Sequence, residues 1–365
     1  MAQVEYHPAP HKQSPYMWDF PDPITGTFPT YAYDKMDLYN KFHRANYIGI
    51  VIVGGSLSMT LFYLVVFETK GVFKPYIKML LMCSMSDMFF WMFFTGFKGI
   101  LIDGVYFLSI NGAAKHFDRE VQLMFLACYG FGICLIHTIL PAQAYFRYHA
   151  LKTSTFLSVK KTLFLFIFSV ICTLPTAYFC RAGFDYSAEI WPNYNYALLW
   201  YKEFPVPVAH IANIRHFNVK MYFLQATILI NLSFGIFIYI LRLTMRELNQ
   251  ESNGGFKYSN KTRQLQKQLT RFLICQAMVT FCNSVIPVAA ILIPLFMKID
   301  AGATPSLCLF IVGWVPAVNP VLSNIIITPY RRFIIGCFKR LIGAVNSKVS
   351  RNSTDRNHSA MISNT

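Results

Sequence analysis

The sequence predicts an all-α integral membrane protein: a bundle of seven transmembrane helices followed by a short amphipathic helix. Three observations carry this. Seven separate stretches of mostly apolar residues run through the chain, each long enough to cross a bilayer core of about 30 Å as a helix. Hydrophobic residues make up 55% of the 365 and charged residues only 14%, against about 25% charged in a soluble domain. The basic residues also collect in alternate connecting segments, the signature of a chain that weaves across a membrane.

The apolar runs are Tyr47–Phe67, Met79–Phe97, Val121–Phe146, Thr162–Cys180, Met221–Leu241, Phe272–Met297 and Ala303–Thr328. The first reads YIGIVIVGGSLSMTLFYLVVF and carries no charge. A surface helix of a soluble protein shows polar residues every third or fourth position, and these runs do not. In lipid such a helix satisfies its own backbone hydrogen bonds. The segments between the runs are too short to hold a soluble domain. Residues 46–330 therefore read as one membrane domain, preceded by a tail over 1–45 and followed by a surface helix over 331–345 and a disordered tail over 346–365.

Sidedness follows from charge. With the N-terminus outside, the inner segments hold 21 of the 33 Lys and Arg and the outer segments 11. Positive residues are retained on the cytoplasmic face, so the N-terminus is expected outside and the C-terminus inside. The net charge of +16 is then a property of one membrane face, and nucleic acid is not a partner. The first 45 residues, rich in Pro, Tyr and Asp, show no apolar core of signal-peptide length.

Polar groups at membrane depth are costly and tend to be functional. Asp87 is the formal charge well inside an apolar run. It must face the bundle interior, and Asn319 of helix seven is the expected partner. A switch or ion site and a neutral structural carboxyl are the two readings. Pro287 in helix six and Pro320 in helix seven each remove a backbone bond and permit a kink, which makes them hinge candidates. Arg147 ends helix three in the string AYFRYHALK; a lone arginine there also serves as a snorkelling anchor. The stretch from Leu241 to Phe272 begins and ends basic, as cytoplasmic extensions of helices five and six around a short loop would. Phe333, Ile334, Ile335, Phe338, Leu341 and Ile342 interleave with Arg332, Lys339 and Arg340, as in a helix lying on the inner leaflet. Nine cysteines match no zinc spacing. Cys128 and Cys180 are either a bridge or two free thiols. Cys337 is either a lipidation site or a buried thiol.

Three strings give the chain a resemblance. YFRYH at 145–149, QLQKQLTRFLICQ at 264–276 followed by Pro287, and NPVLSNIIITPYRRF at 319–333 resemble helix ends of the nematode serpentine chemoreceptors of the Str/Srd/Srh type. These are rhodopsin-like seven-transmembrane G-protein-coupled receptors. The similarity covers roughly residues 45–345. Four positions depart from the wider rhodopsin-like pattern. Phe146 stands where an acid precedes the arginine, Ser323 where a tyrosine follows Pro320, Val285 where helix six has tryptophan, and Gln122 where helix three has a disulfide cysteine.

The resemblance implies a chemosensory receptor in the plasma membrane, with the sensory-neuron cilium as a candidate location. A small-molecule ligand would bind among the outer halves of helices three, five, six and seven, where Phe125, Tyr129, Tyr222, Gln225 and Trp314 are candidate lining residues. A heterotrimeric G protein would dock at Arg147 and Tyr148, flanked by Arg246, Lys267 and Arg271. The lipid bilayer is the remaining partner, and no cofactor or enzymatic activity is implied. A transporter or ligand-gated channel is the alternative. Transporters usually carry internal repeats, and none is visible. A retinal-bearing pump needs a lysine in helix seven, and none lies between Lys298 and Lys339.

Overall fold

A computed structural model describes residues 31–69, 71–102, 104–153, 155–186, 208–253, 260–337 and 339–340. Seven helices form the bundle. Helix one runs from Tyr31 to Glu68, with widened π-turns at Ile50–Gly54 and Leu64–Glu68. It thus begins earlier than the apolar run at Tyr47. Helix two opens with a tight 3₁₀ segment, Gly71–Tyr76, and continues as Ile77–Met92. Helices three, four and five are Arg119–Thr153, Val159–Gly183 and Phe217–Asn253. Helix six starts at Asn260 and ends at Met297; helix seven runs from Thr304 to Ile326. Helices five and six extend well past their apolar runs, as expected for the segment between them. Six of these helices are long and apolar enough to cross a membrane by length and composition. Helix two reaches the needed length only with its 3₁₀ segment.

Residues 328–337 form a further helix after helix seven. Its Phe333 and Ile334 pack on the bundle, while Arg331, Arg332 and Cys337 are exposed. The two-sided pattern is the expected amphipathic one. Residues 341–365, including the expected disordered tail, lie outside the described residues, as do 1–30 of the N-terminal tail.

Helix three is the core of the bundle and helix four its rim. On helix four Phe164, Phe168, Ile171 and Leu174 are exposed, an apolar stripe at helical spacing that only lipid would cover. Close packing relies on small residues, as it does where lipid removes the hydrophobic drive between helices. A Cβ on Gly55 would lie 2.4 Å from the Trp91 ring, and one on Gly132 would lie 3.0 Å from Phe90.

One element departs from the all-helical expectation. The apolar run Met79–Phe97 reads as helix to its end, yet the helix stops at Met92 and Phe97 opens a β-strand. Four strands, β1 Phe97–Ile102, β2 Val105–Ile110, β3 Asp185–Tyr186 and β4 Ala209–Asn213, form an antiparallel sheet in the order β1-β2-β4-β3. Phe97 pairs with Ile110 and Val105 with Asn213. Gly104, at φ +72°, turns β1 into β2, a conformation glycine adopts without steric cost. The sheet caps the end of the bundle opposite Arg147. The edge of β1 is not left open. The Ser306 hydroxyl of helix seven accepts from the Gly99 amide at 2.6 Å and donates to the Gly99 carbonyl at 2.7 Å. Leu101 and Gly302 exchange two backbone bonds at 2.9 and 3.0 Å, and the His43 Nε2 of helix one meets the Phe97 carbonyl at 3.0 Å.

Gly55→Ala tests the one–two contact. The added methyl must push Trp91 aside and break its indole bond to the Val51 carbonyl, 3.1 Å. The expected loss is about 1–3 kcal/mol, read as a lower thermal midpoint of the purified protein; an unchanged midpoint contradicts the packing.

Candidate functional site

Beneath the sheet lies a cavity of about 70 Å³. Its roof is Phe97, Tyr106 and Leu108 of the sheet. Its walls are Leu126, Tyr129 and Ile133 of helix three, Tyr222 and Ala226 of helix five, Val288 and Ile291 of helix six, and Leu309 of helix seven. Among the described residues, no Asp, Glu, Lys, Arg or His lines it. Of the five residues expected to line a pocket, the structure brings Tyr129 and Tyr222 to the cavity. Phe125 sits one position away from Leu126 and so turns toward Phe93 and Phe117, with ring centroids at 5.4 and 6.3 Å. Gln225, beside Ala226, is outside the lining. Trp314 faces helix one, where its indole donates to Asn46 Oδ1 at 2.8 Å. Pro316 is the cause: helix seven breaks at Gly313–Trp314 before restarting at Val315, which rotates Trp314 off the inner face. Helix six forms a wall, as the sequence reading expects, through Val288, Ile291 and Leu292, which that reading does not name, and the roof aromatics of the sheet lie outside it.

Cys128 and Cys180 are both free thiols. The Tyr222 hydroxyl stands against the Cys180 side chain. At the position where the wider rhodopsin-like pattern has a disulfide cysteine, Gln122 makes a different link. Its Oε1 meets His210 Nε2 of β4 at 3.1 Å, and its Nε2 donates to the Phe117 carbonyl at 2.9 Å. Helix three is thereby tied to the four–five connection without a covalent bond. Burial, with Arg119 adding to it, pushes the His210 imidazole down to about 4.

At mid-depth, Asn319 Nδ2 donates to Asp87 Oδ1 at 2.9 Å, and both are buried. The pairing of helices two and seven is the one the sequence pointed to. Pro320 cannot bond the carbonyl of Pro316, and the Ser58 hydroxyl of helix one donates to that carbonyl at 2.8 Å. Pro287 follows directly on a π-turn, Phe281–Val285, where the widened backbone makes room for its ring.

At the far end, Arg147 is 1% exposed, the largest of the fully buried side chains. Its guanidinium donates to the Leu269 carbonyl and, at 3.2 Å, to Thr270 Oγ1 of helix six. Phe146, in the place of the acid, packs instead against Tyr76. Tyr148 is half-buried with the Lys152 ammonium 5.6 Å over its ring. Arg246 and Arg271 are exposed on helices five and six. Lys267 belongs to helix six, and its side chain lies outside the described residues. Tyr330 of the helix after helix seven bonds Thr69, just past the end of helix one, 2.7 Å between hydroxyls.

A seven-helix membrane bundle with a covered apolar cavity at one end and a buried arginine at the other defines a receptor-type fold. Comparison with solved structures agrees: the crystal structure of squid rhodopsin matches with a TM-score of 0.56 at 13% identity, over 83% of this chain and 87% of that one. The family model of the serpentine type 7TM GPCR chemoreceptor Srd matches residues 44–336, and the chain belongs to that family. It is a receptor family and not an enzyme family. The chain is also 27% identical over 126 residues to serpentine receptor class r-10 of Caenorhabditis elegans, 34% of this chain and 35% of that relative. It thus aligns with about a third of that protein's length.

The Gln122–His210 link gives a pH test. In the unfolded chain the imidazole titrates near 6.5 and in the folded protein near 4. Between those values the unfolded state binds more protons, so stability falls as pH drops from about 6.5 to 4, by up to about 3 kcal/mol. His210→Gln keeps an amide to pair with Gln122 and removes the titration. Its thermal midpoint is expected to fall less than the wild type's between pH 7 and 4.5; equal slopes rule out the assignment.

Proposed function

We propose that the protein is a chemosensory receptor of the plasma membrane, with an extracellular N-terminus and a cytoplasmic C-terminus. It binds a small molecule in the cavity beneath the sheet and activates a heterotrimeric G protein at the Arg147 end. One observation carries the reading. The cavity and the Arg147 contact share helices three and six and sit at their opposite ends. Between them helix six contains the π-turn at Phe281–Val285 and Pro287. Helix six is thus a rod with a built-in joint, walled by the ligand space on one side of the joint and held by Arg147 on the other.

The arrangement described is a closed one. Arg147 holds the inner end of helix six through Leu269 and Thr270. A ligand that prefers a shifted upper half of helix six favours the state in which that grip is released. Release frees Arg147 and Tyr148 for a G-protein helix, with Arg246, Lys267 and Arg271 at the margin. Asp87, Asn319, Pro287 and Pro320 act as the switching elements between the two ends. Cys337, exposed beside the basic surface helix, takes a lipid anchor.

Two substitutions test this in cells that report second messengers, with an N-terminal epitope stained without permeabilisation. Arg147→Ala abolishes stimulated signalling and leaves surface staining intact. Thr270→Val removes one hydrogen bond from the closed state, worth about 1 kcal/mol, and raises ligand-free signalling about fivefold. Normal coupling by Arg147→Ala refutes its role. Stimulated ion flux without second messengers supports a channel or transporter instead.

A further inference from the structure

We infer, on the reading that the cavity beneath the sheet is the ligand site, that its ligand is a compact, uncharged, largely apolar molecule bearing one acceptor oxygen that Tyr129 hydrogen-bonds. The charge follows from the walls. A charged group entering a cavity without a counter-ion loses its hydration and gains nothing in return. The size follows from the volume, about 70 Å³, held open in part by Gly130, where a Cβ would meet the Tyr222 hydroxyl at 2.9 Å.

The acceptor follows from Tyr129. Its side chain is 3% exposed, and its ring is fixed between Phe90 at 5.0 Å and Phe97 at 4.4 Å. Its hydroxyl is buried with no hydrogen-bond partner among the described residues. A buried hydroxyl left unmatched costs about 1–3 kcal/mol and is retained where it serves a purpose. A ligand carbonyl or ether oxygen accepting from it recovers that loss. The apolar walls then supply affinity, and the hydroxyl supplies orientation and selection. An isostere without the oxygen leaves the phenol unmatched and is rejected for that reason.

The test uses the purified full chain in lipid nanodiscs and follows its thermal midpoint against probe concentration. Three probes suffice: acetone, isobutene (the same shape with a CH₂ in place of oxygen) and acetate. The wild type is expected to bind the ketone about tenfold more tightly than the alkene, the equivalent of one neutral hydrogen bond, and the carboxylate not at all. Tyr129→Phe erases the ketone's advantage, keeps alkene binding, and leaves the ligand-free midpoint unchanged or higher. Ala226→Phe fills the cavity and removes binding of both neutral probes. Equal binding of ketone and alkene by the wild type, a ketone preference that survives in Tyr129→Phe, binding of the carboxylate, or no binding by either neutral probe overturns the inference. Survival of the preference in Tyr129→Phe together with loss in Ala226→Phe overturns the inference and leaves the cavity standing as the ligand site. Probe binding that is untouched by Ala226→Phe removes the cavity as the ligand site.

Discussion

At membrane depth no water stands ready to take over an unmatched donor or acceptor, so partners must come from the protein itself. That constraint organises this bundle. Pro320 leaves the Pro316 carbonyl without its helical partner, and Ser58 of helix one supplies one. Asp87 requires a donor, and Asn319 reaches across from helix seven. Arg147 requires acceptors, and helix six provides a main-chain carbonyl and a hydroxyl. Each debt of hydrogen bonding is settled by a different helix, and these settlements hold one, two, three, six and seven in register. An irregular backbone in lipid thus becomes a source of specific tertiary contacts.

The two ends of the molecule treat backbone polarity differently. The sheet end uses strand pairing, with Ser306 and Gly302 closing the outer edge of β1. This fixes the roof over the cavity. The other end uses side chains on helix termini, which separate without breaking a ladder. Helix six joins the regimes through its π-turn and Pro287. On the proposed reading, a paired sheet above and side-chain bonds below suit a receptor whose inner end opens while its roof holds.

Much of this was legible in the chain. The seven apolar runs correspond to seven helices, and the Asp87–Asn319 pairing could be read because so few polar groups lie at that depth. Phe97 was misplaced because the fully buried residues of β1, among them Phe97, Ile100 and Leu101, prolong an apolar run that periodicity cannot separate from a helix. The signal that does separate them is Asp103–Gly104 between β-branched neighbours, a hairpin mark. The cavity lining was half legible. Phe125, four residues before Tyr129, shares its stripe by spacing, and only the packing of its ring toward Phe93 and Phe117 shows that it turns away from the cavity. Trp314 could not be placed without knowing how far the Pro316 break rotates helix seven.

The roof is fastened unevenly. Along β1, bonds from Ser306, Gly302 and His43 bind it to helices one and seven and to the six–seven connection. On the side of helix three, the side-chain tether on β4 is the Gln122–His210 pair. A covalent tether there would demand an oxidising environment and would never let go. A neutral amide–imidazole contact breaks at a cost of about 1 kcal/mol, within reach of thermal fluctuation. Among the described residues the cover is therefore anchored by several bonds along β1 and by a reversible side-chain bond at helix three, so its two margins differ in the work needed to loosen them.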